Sequence, residues 1–382
     1  MNIEKKQKNN ILVVFFTYGN SLKTWENAGI LERELAIYKE HSRNGLEIHL
    51  ITYGNHEDEL LLAGYDWINA HFNHYALHLR LYYALIPLLH QKILRKADWL
   101  KTNQLFGGGI AAIAASIFKK PLIARQGYSH YEHRLEEFGA GSKNERAALR
   151  QEKFVYKRSR CVVFTTQNMA DTTIVRHPQI AENCAVIPNY IVSENWKPQY
   201  QLDQHRKKRM FVYFGRFTEQ KNLINVLDAI KMTNSKIILI GDGPKKSELV
   251  EKVNNENIQC VFYERMDQTD LKVLMRDCSA FILASYYEGH PKSAIESMTF
   301  GIPCIFSLQV KNTLCLKGAE VGIFVGPSAK SIAKGIEKFS SLSFIQLRTI
   351  VQNARQAVEE KLDVKVVSSQ ERDLLQTLIK AD

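Results

Sequence analysis

Seven residues separate Glu288 from Glu296 in the stretch SYYEGHPKSAIESMTFGIPCIF, Ser285 to Phe306. Two carboxylates around a short Gly/Pro segment can hold different hydroxyl groups of one ligand. The apolar run Ala280–Ala284 reads as a buried parallel strand, and Gly301-Ile302-Pro303 stops the helix that carries Glu296. The loop between them therefore sits at the carboxyl end of a strand, where doubly wound sheets bind ligands. The N–H groups of Gly289, His290, Lys292 and Ser293 open the helix and favour an anion. Carboxylates for hydroxyls and a helix start for phosphate together point to a nucleotide-sugar.

A second loop offers the cations such a ligand needs. In RMFVYFGRFTEQKNL, Arg209 to Leu223, an apolar strand runs from Met210 to Phe214. Gly215 allows a tight exit, Arg216 and Lys221 follow, and a helix starts at about Asn222. Arg grips a diphosphate with its planar fork, and Lys does so as a mobile point charge.

These loops require strands and helices in alternation to position them. Strands are predicted at Ile11–Thr17, Leu46–Tyr53, Asp98–Asn103, Leu122–Gln126, Cys161–Thr166 and Ala185–Ile187. Helical patterns at Ala28–Arg43, Gly108–Phe118, Asn144–Ser159 and Gln167–Arg176 fall between them. A second series of strands follows at Phe211–Gly215, Lys236–Gly241, Cys260–Glu264, Ala280–Ala284, Pro303–Ser307 and Gly322–Val325, with helices after Leu342. Such alternation implies parallel sheets in an α/β protein of two Rossmann-like domains. The expected boundaries are 1–195, 208–360 and a final helix in 361–382, with the polar stretch Asn195 to Arg209 as linker.

Composition fits a soluble enzyme of 382 residues with two full cores. Its six cysteines form no CxxC pair, which favours free thiols in a reducing compartment over disulfides or zinc. MNIEKKQKNN lacks the apolar core of a signal peptide, and no run is long enough to span a membrane. The net charge of +11 is uneven: from Ala76 to Arg160, sixteen Lys and Arg face six Asp and Glu. Such a surface could serve nucleic acid, anionic lipid or an anionic substrate, and no nucleic-acid motif is visible. The segment ALHLRLYYALIPLLHQKILRK, Ala76 to Lys96, reads as one helix, either docked on its own domain or lying at an anionic membrane surface. No G-x-G-x-x-G follows the first strand of either half, which disfavours a dinucleotide cofactor.

The two motif loops, in this order, resemble retaining glycosyltransferases of the GT-B fold, family 4 type (glycosyl transferases group 1). The first matches the family's E-x7-E signature and the second its G-R-x(4)-K-N/G motif. VIPNYI, Val186 to Ile191, and the Gly241-Asp242-Gly243-Pro244 turn are similar to further family segments. The resemblance implies two domains facing across a cleft, with the C-terminal helix packed back on the first domain. It implies that Glu296 holds the donor ribose and that Glu288 contacts the transferred sugar. Arg216 and Lys221 would offset charge on the leaving diphosphate, and Gly215, Gly289, His290, Lys292 and Asn189 would line the donor. Such an enzyme would need no metal and no resident cofactor, since cations replace a DxD-bound ion.

The first domain departs from the pattern. Gly29 matches only half of the family's Gly-Gly pair, and Glu264 replaces an expected glycine. Arg125, His130, His133 and Asn103 are candidates near the cleft; Arg125 could take a phosphate, and a surface position is the stronger expectation for both histidines. By the resemblance, the partners are a nucleotide-sugar donor and a glycan or lipid-linked acceptor of cell-surface polysaccharide or lipopolysaccharide synthesis. The location would be the cytoplasm or the inner face of the plasma membrane. A nucleotide-sugar 2-epimerase and a non-catalytic sugar- or lipid-binding protein of the same fold remain as alternatives.

Overall fold

The computed structural model describes residues 10–196, 209–264, 266–314 and 320–380. The chain forms two compact units, one running to Pro188 and including the segment from Val364, the other Asn189–Asp363.

The first unit is built on seven parallel strands. They are β1 (Asn10–Phe15), β2 (Leu46–Ile51), β3 (Ile68–His71), β4 (Trp99–Thr102), β5 (Leu122–Gln126), β6 (Cys161–Phe164) and β7 (Cys184–Val186). Their order is β3-β2-β1-β4-β5-β6-β7, so the winding reverses between β1 and β4. The run ILVVF of β1 is buried throughout, because helices cover both faces of the sheet. Ile11, Val13 and Phe15 join one core with Tyr82, Ile86, Ile110 and Val155. On the opposite face the helix Leu31–Arg43 packs on β2 and on the C-terminal helix Val364–Lys380.

The second unit has six parallel strands in the order β10-β9-β8-β11-β12-β13. They are β8 (Met210–Phe214), β9 (Lys236–Ile240), β10 (Cys260–Tyr263), β11 (Ala280–Leu283), β12 (Cys304–Ser307) and β13 (Ile323–Val325). Here the reversal lies between β8 and β11, whose registers join Ala280 to Phe211 and Phe281 to Val212. Both expected motif loops leave these two central strands at their carboxyl ends. Gly301 ends the helix Lys292–Phe300 in the left-handed conformation, φ +87°, which a side chain would resist.

The structure corrects several expectations. The first unit ends at Pro188 rather than 195, because Ile191 and Trp196 are buried in the core of the second. Most of the expected linker, 197–208, lies outside the described residues. Strand β3 went unpredicted: INAH is short, half polar and only partly covered at the sheet edge. The helix expected over Ala28–Arg43 starts later, at Leu31, and an unpredicted short helix, Leu22–Asn27, precedes it across a turn at Gly29 with φ +58°. The helix expected over Ala76–Lys96 is two helices, Leu79–Leu89 and Gln91–Lys96, broken at His90.

Candidate functional site

The loops after β8 and β9 are held to each other by backbone. Phe217 N donates to Asp242 O at 2.8 Å, and Lys245 N donates to Phe217 O at 3.0 Å. A Cβ at Gly241 would fall 2.0 Å from Gly215 O, and one at Gly243 would fall 2.4 Å from Phe217 O. No side chain fits there, so the two glycines make the close approach possible. The buried Tyr213 hydroxyl donates to Arg216 O at 2.9 Å and fixes the same turn. The Arg216 side chain is exposed and has no ion pair with a described residue.

Lys221 is placed differently. Its Nζ lies 2.6 Å from Glu288 Oε1, and both side chains are largely shielded. Ser285 Oγ donates to the same oxygen at 2.6 Å. The two motif loops are tied together around this pair. Tyr286 N donates to Gln220 O at 2.9 Å, and Gln220 Nε2 donates to Tyr287 O at 2.8 Å. Asn222 Nδ2 donates to Ala284 O at 2.9 Å and to Pro327 O at 2.7 Å. The sequence placed Lys221 and Glu288 on separate ligand groups; the structure joins them in one ion pair.

Pro291 is the N-cap of the helix Lys292–Phe300, and it supplies no side-chain hydrogen bond. No acid occupies the first turn, so nothing there competes with a bound anion. Asn189 Nδ2 donates to His290 O at 3.1 Å, so Asn189 acts on the helix start through its neighbour's carbonyl. His290 and Glu296 are buried, while Gly289 and Lys292 are partly exposed. Lys272, on the helix Gln268–Asp277, lies within electrostatic reach of Glu296 and 5.0 Å above the Trp196 ring. Burial lowers its pKa and the Glu296 charge opposes that shift. Sequence reasoning missed Lys272, Ser285 and Asn222. Only Asn222 carried a signal, as the residue after the motif lysine.

The first unit holds Gly29, Asn103, Arg125 and His130 on segments following or ending its strands. Gly29 is exposed in its helix-to-helix turn, and Asn103 N donates to Phe15 O at 2.8 Å. Arg125 is not open to a phosphate. Lys101 pairs in register with Ile123, so Arg125, two residues on, shares the Lys101 face. It is buried within electrostatic reach of Lys101, Tyr38 and Glu371. His130 is not a surface residue either. It is buried with its ring 5.0 Å from Phe106, and burial lowers its pKa, favouring the neutral imidazole. His133 is exposed as expected, 3.9 Å from Glu137.

Known proteins resemble this chain in sequence and fold. Residues 194–357 match the model of glycosyl transferases group 1, and residues 35–194 match that of glycosyltransferase family 4. The chain is 26% identical over 166 residues to an uncharacterized glycosyltransferase of Methanocaldococcus jannaschii, covering 40% of this chain and 41% of that one. It is 28% identical over 163 residues to a Campylobacter jejuni α-1,4-N-acetyl-D-galactosaminyltransferase named for a diphosphoundecaprenol-linked acceptor, covering 40% and 44%. The matches span less than half the length of these curated relatives. The fold superposes on Anabaena HepE in complex with UDP and glucose, with a TM-score of 0.70 at 18% identity over 96% of this chain and 99% of the other.

Proposed function

The chain belongs to the group 1 glycosyltransferases, and on that premise we propose that it moves a sugar, with retention, from a nucleoside-diphosphate donor to a hydroxyl of a cell-surface glycan or lipid-linked acceptor. The observation that carries this reading is the Lys221–Glu288 pair, 2.6 Å apart, which joins the loop carrying the exposed Arg216 to the loop after β11. A carboxylate and two cations are what a sugar diphosphate requires at its two ends.

In the proposed reaction the bond from C1 to the diphosphate oxygen breaks as the acceptor oxygen bonds to C1 on the same face, and the acceptor hydroxyl proton passes to the departing phosphate oxygen. Oxocarbenium character grows on the sugar and negative charge grows on the departing phosphate. Arg216 and Lys221 stabilise that charge, together with the N–H groups that open the helix Lys292–Phe300. Donor phosphates would draw Lys221 from Glu288, and the freed carboxylate would then accept from a sugar hydroxyl. Glu296 holds the ribose. The reading needs no resident cofactor and no metal, and its specific class is hexosyl transfer. The lipid-linked acceptor is supported by the name of the Campylobacter relative.

A thermal-shift screen of UDP-, GDP-, ADP- and TDP-sugars tests the proposal, followed by hydrolysis of the stabilising donor. At least one donor raises the unfolding midpoint and is slowly hydrolysed. No stabilisation by any of them overturns the reading. No described helix is long and apolar enough to cross a membrane, so an acceptor held in one would be reached from its surface.

A further inference from the structure

Glu288 is gripped by one of its two oxygens. Oε1 accepts from Lys221 Nζ and from Ser285 Oγ, each at 2.6 Å. Oε2 accepts from no described residue, which leaves it for a ligand hydroxyl. The carboxylate therefore has a fixed side and an offered side.

The two donors on Oε1 differ in how firmly they are placed. The Lys221 ammonium rides on a flexible four-carbon stem. The Ser285 hydroxyl turns on a single torsion, and its residue is fully buried. The backbone around Ser285 is tied from three directions. Ser307 Oγ, at the end of β12, donates to Ser285 O at 2.7 Å. Asn222 Nδ2 donates to the preceding carbonyl, Ala284 O, at 2.9 Å. On the other side, Tyr286 N donates to Gln220 O at 2.9 Å. Ser307 is itself fully buried and caps the helix Leu308–Thr313, accepting from Val310 N at 3.4 Å. The hydroxyl is thus a fixed point at the carboxyl end of β11, and the ammonium is not.

The proposed reaction draws Lys221 to the donor phosphates. The Glu288 side chain is only 5% exposed, so it would lose a charge partner in a shielded place. A shielded carboxylate left without a donor carries a desolvation cost and turns toward water. Ser285 removes the need to turn, because its hydrogen bond remains when Lys221 leaves. Among the described residues Glu288 is the only partner of the Ser285 hydroxyl. Packing alone would be met by an alanine, so the hydroxyl acts on Glu288.

We propose that Ser285 is a positioning residue of the transfer reaction: it holds Glu288 Oε1 while Lys221 changes partner, and so keeps Oε2 aimed at the sugar. The inference rests on the reading of this site as a donor-sugar site. It adds a residue that touches neither sugar nor phosphate.

The test is hydrolysis, in steady state and in single turnover, of the donor that stabilises the wild-type protein. Ser285→Ala is expected to lower kcat about tenfold, the loss of one charge-assisted hydrogen bond, with the donor KM within about twofold. Ser285→Cys keeps the volume with a weak donor, and it falls nearly as far. It also stands in for the alanine variant should that one not fold, as unfolding midpoints report. In a Glu288→Ala background, Ser285→Ala costs less than about twofold, because the hydroxyl has nothing left to hold. A wild-type kcat in Ser285→Ala overturns the proposal. An equal loss in the Glu288→Ala background also overturns it and makes Ser285 a packing residue. A loss carried by KM overturns it and places Ser285 in the donor grip. Donor hydrolysis by the wild-type protein tests the site reading separately. If it is absent, that reading fails; if it is present and Ser285→Ala matches it, only the role of Ser285 fails.

Discussion

Lys221 and Glu288 show how much a single pair can change the reading of a site. Arg216→Ala and Lys221→Ala are each expected to lower turnover by about a hundredfold, the scale of losing one preorganised charge. Circular dichroism should be unaltered; near-normal rates in both variants would remove the diphosphate role. The pairing sharpens the expectation for the carboxylates. Glu288→Gln releases Lys221, so affinity for the free nucleoside diphosphate should hold or rise while transfer falls steeply. Glu296→Gln should weaken nucleotide binding itself. Calorimetric titration of both variants with nucleotide alone decides this, and equal loss in the two would end the division of roles. Excess EDTA should leave activity intact, because side-chain cations and a helix start are proposed to meet the diphosphate charge. A loss reversed only by Mg²⁺ or Mn²⁺ would contradict that chemistry.

At the scale of elements, the edge of the first sheet carries a histidine network under the helix Leu79–Leu89. His49 Nδ1 lies 2.9 Å from His71 Nε2, and His49 Nε2 lies 2.8 Å from Glu47. The His90 ring stands 5.6 Å from His71, and its Nε2 lies 2.9 Å from the Tyr82 hydroxyl, which donates to Thr52 O. Burial, with His49, His90 and His74 adding repulsion, lowers the pKa of His71 to about 3. Burial and His74 lower that of His90 to about 4. Burial lowers His49 as well; Glu47 opposes the shift and Lys96 adds to it. His71 and His90 take up protons near 6.5 when unfolded and only near 3 to 4 when folded. The unfolded chain therefore binds more protons in that window, and stability falls as the pH drops below about 6.5. Thermal unfolding across pH should show this slope, flattened in His71→Gln/His90→Gln. An unchanged slope would discharge the network.

The same network explains one element that sequence alone misread. The pattern from Ala76 to Lys96 is apolar enough for one helix, but the chain breaks at His90, whose ring is drawn to Tyr82. Strand β3 escaped notice for a related reason. An edge strand buried on part of one side needs no continuous apolar run, so INAH carries no periodic signal. The strand-to-loop transitions at Gly215 and Ser285 were legible, because glycine and polar residues interrupt long apolar runs there.

At the scale of the whole molecule, the last helix belongs to the first unit although the second precedes it in the chain. Trp99 Nε1 donates to Leu375 O at 3.0 Å, and Lys101 is bonded to Glu371, which also lies 3.3 Å from His41. Burial alone would raise the Glu371 pKa, but Lys101, His41 and Arg125 outweigh it and keep the carboxylate ionised. Glu371→Ala is expected to destabilise the first unit by about 3 to 5 kcal/mol, since it strands a buried ammonium. Lys101→Met with Glu371→Leu should recover most of that loss. Urea unfolding of the single and double variants measures both, and a single variant of wild-type stability would refute the assignment.

The sequence by itself determined the parallel α/β class, most strands to within one or two residues, and the loops carrying Arg216, Lys221, Glu288 and Glu296. Those are local properties: apolar run length, helical period, and glycine or proline at the exits. Tertiary structure decided which of these residues meet. It joined Lys221 to Glu288 across two loops and brought Lys272 to Glu296. It sank His130 against Phe106, and it drew Arg125 into a buried charge cluster with Glu371 on the returning helix. Such contacts depend on strand order and on which face of a sheet each side chain takes. No local pattern along the chain encodes either.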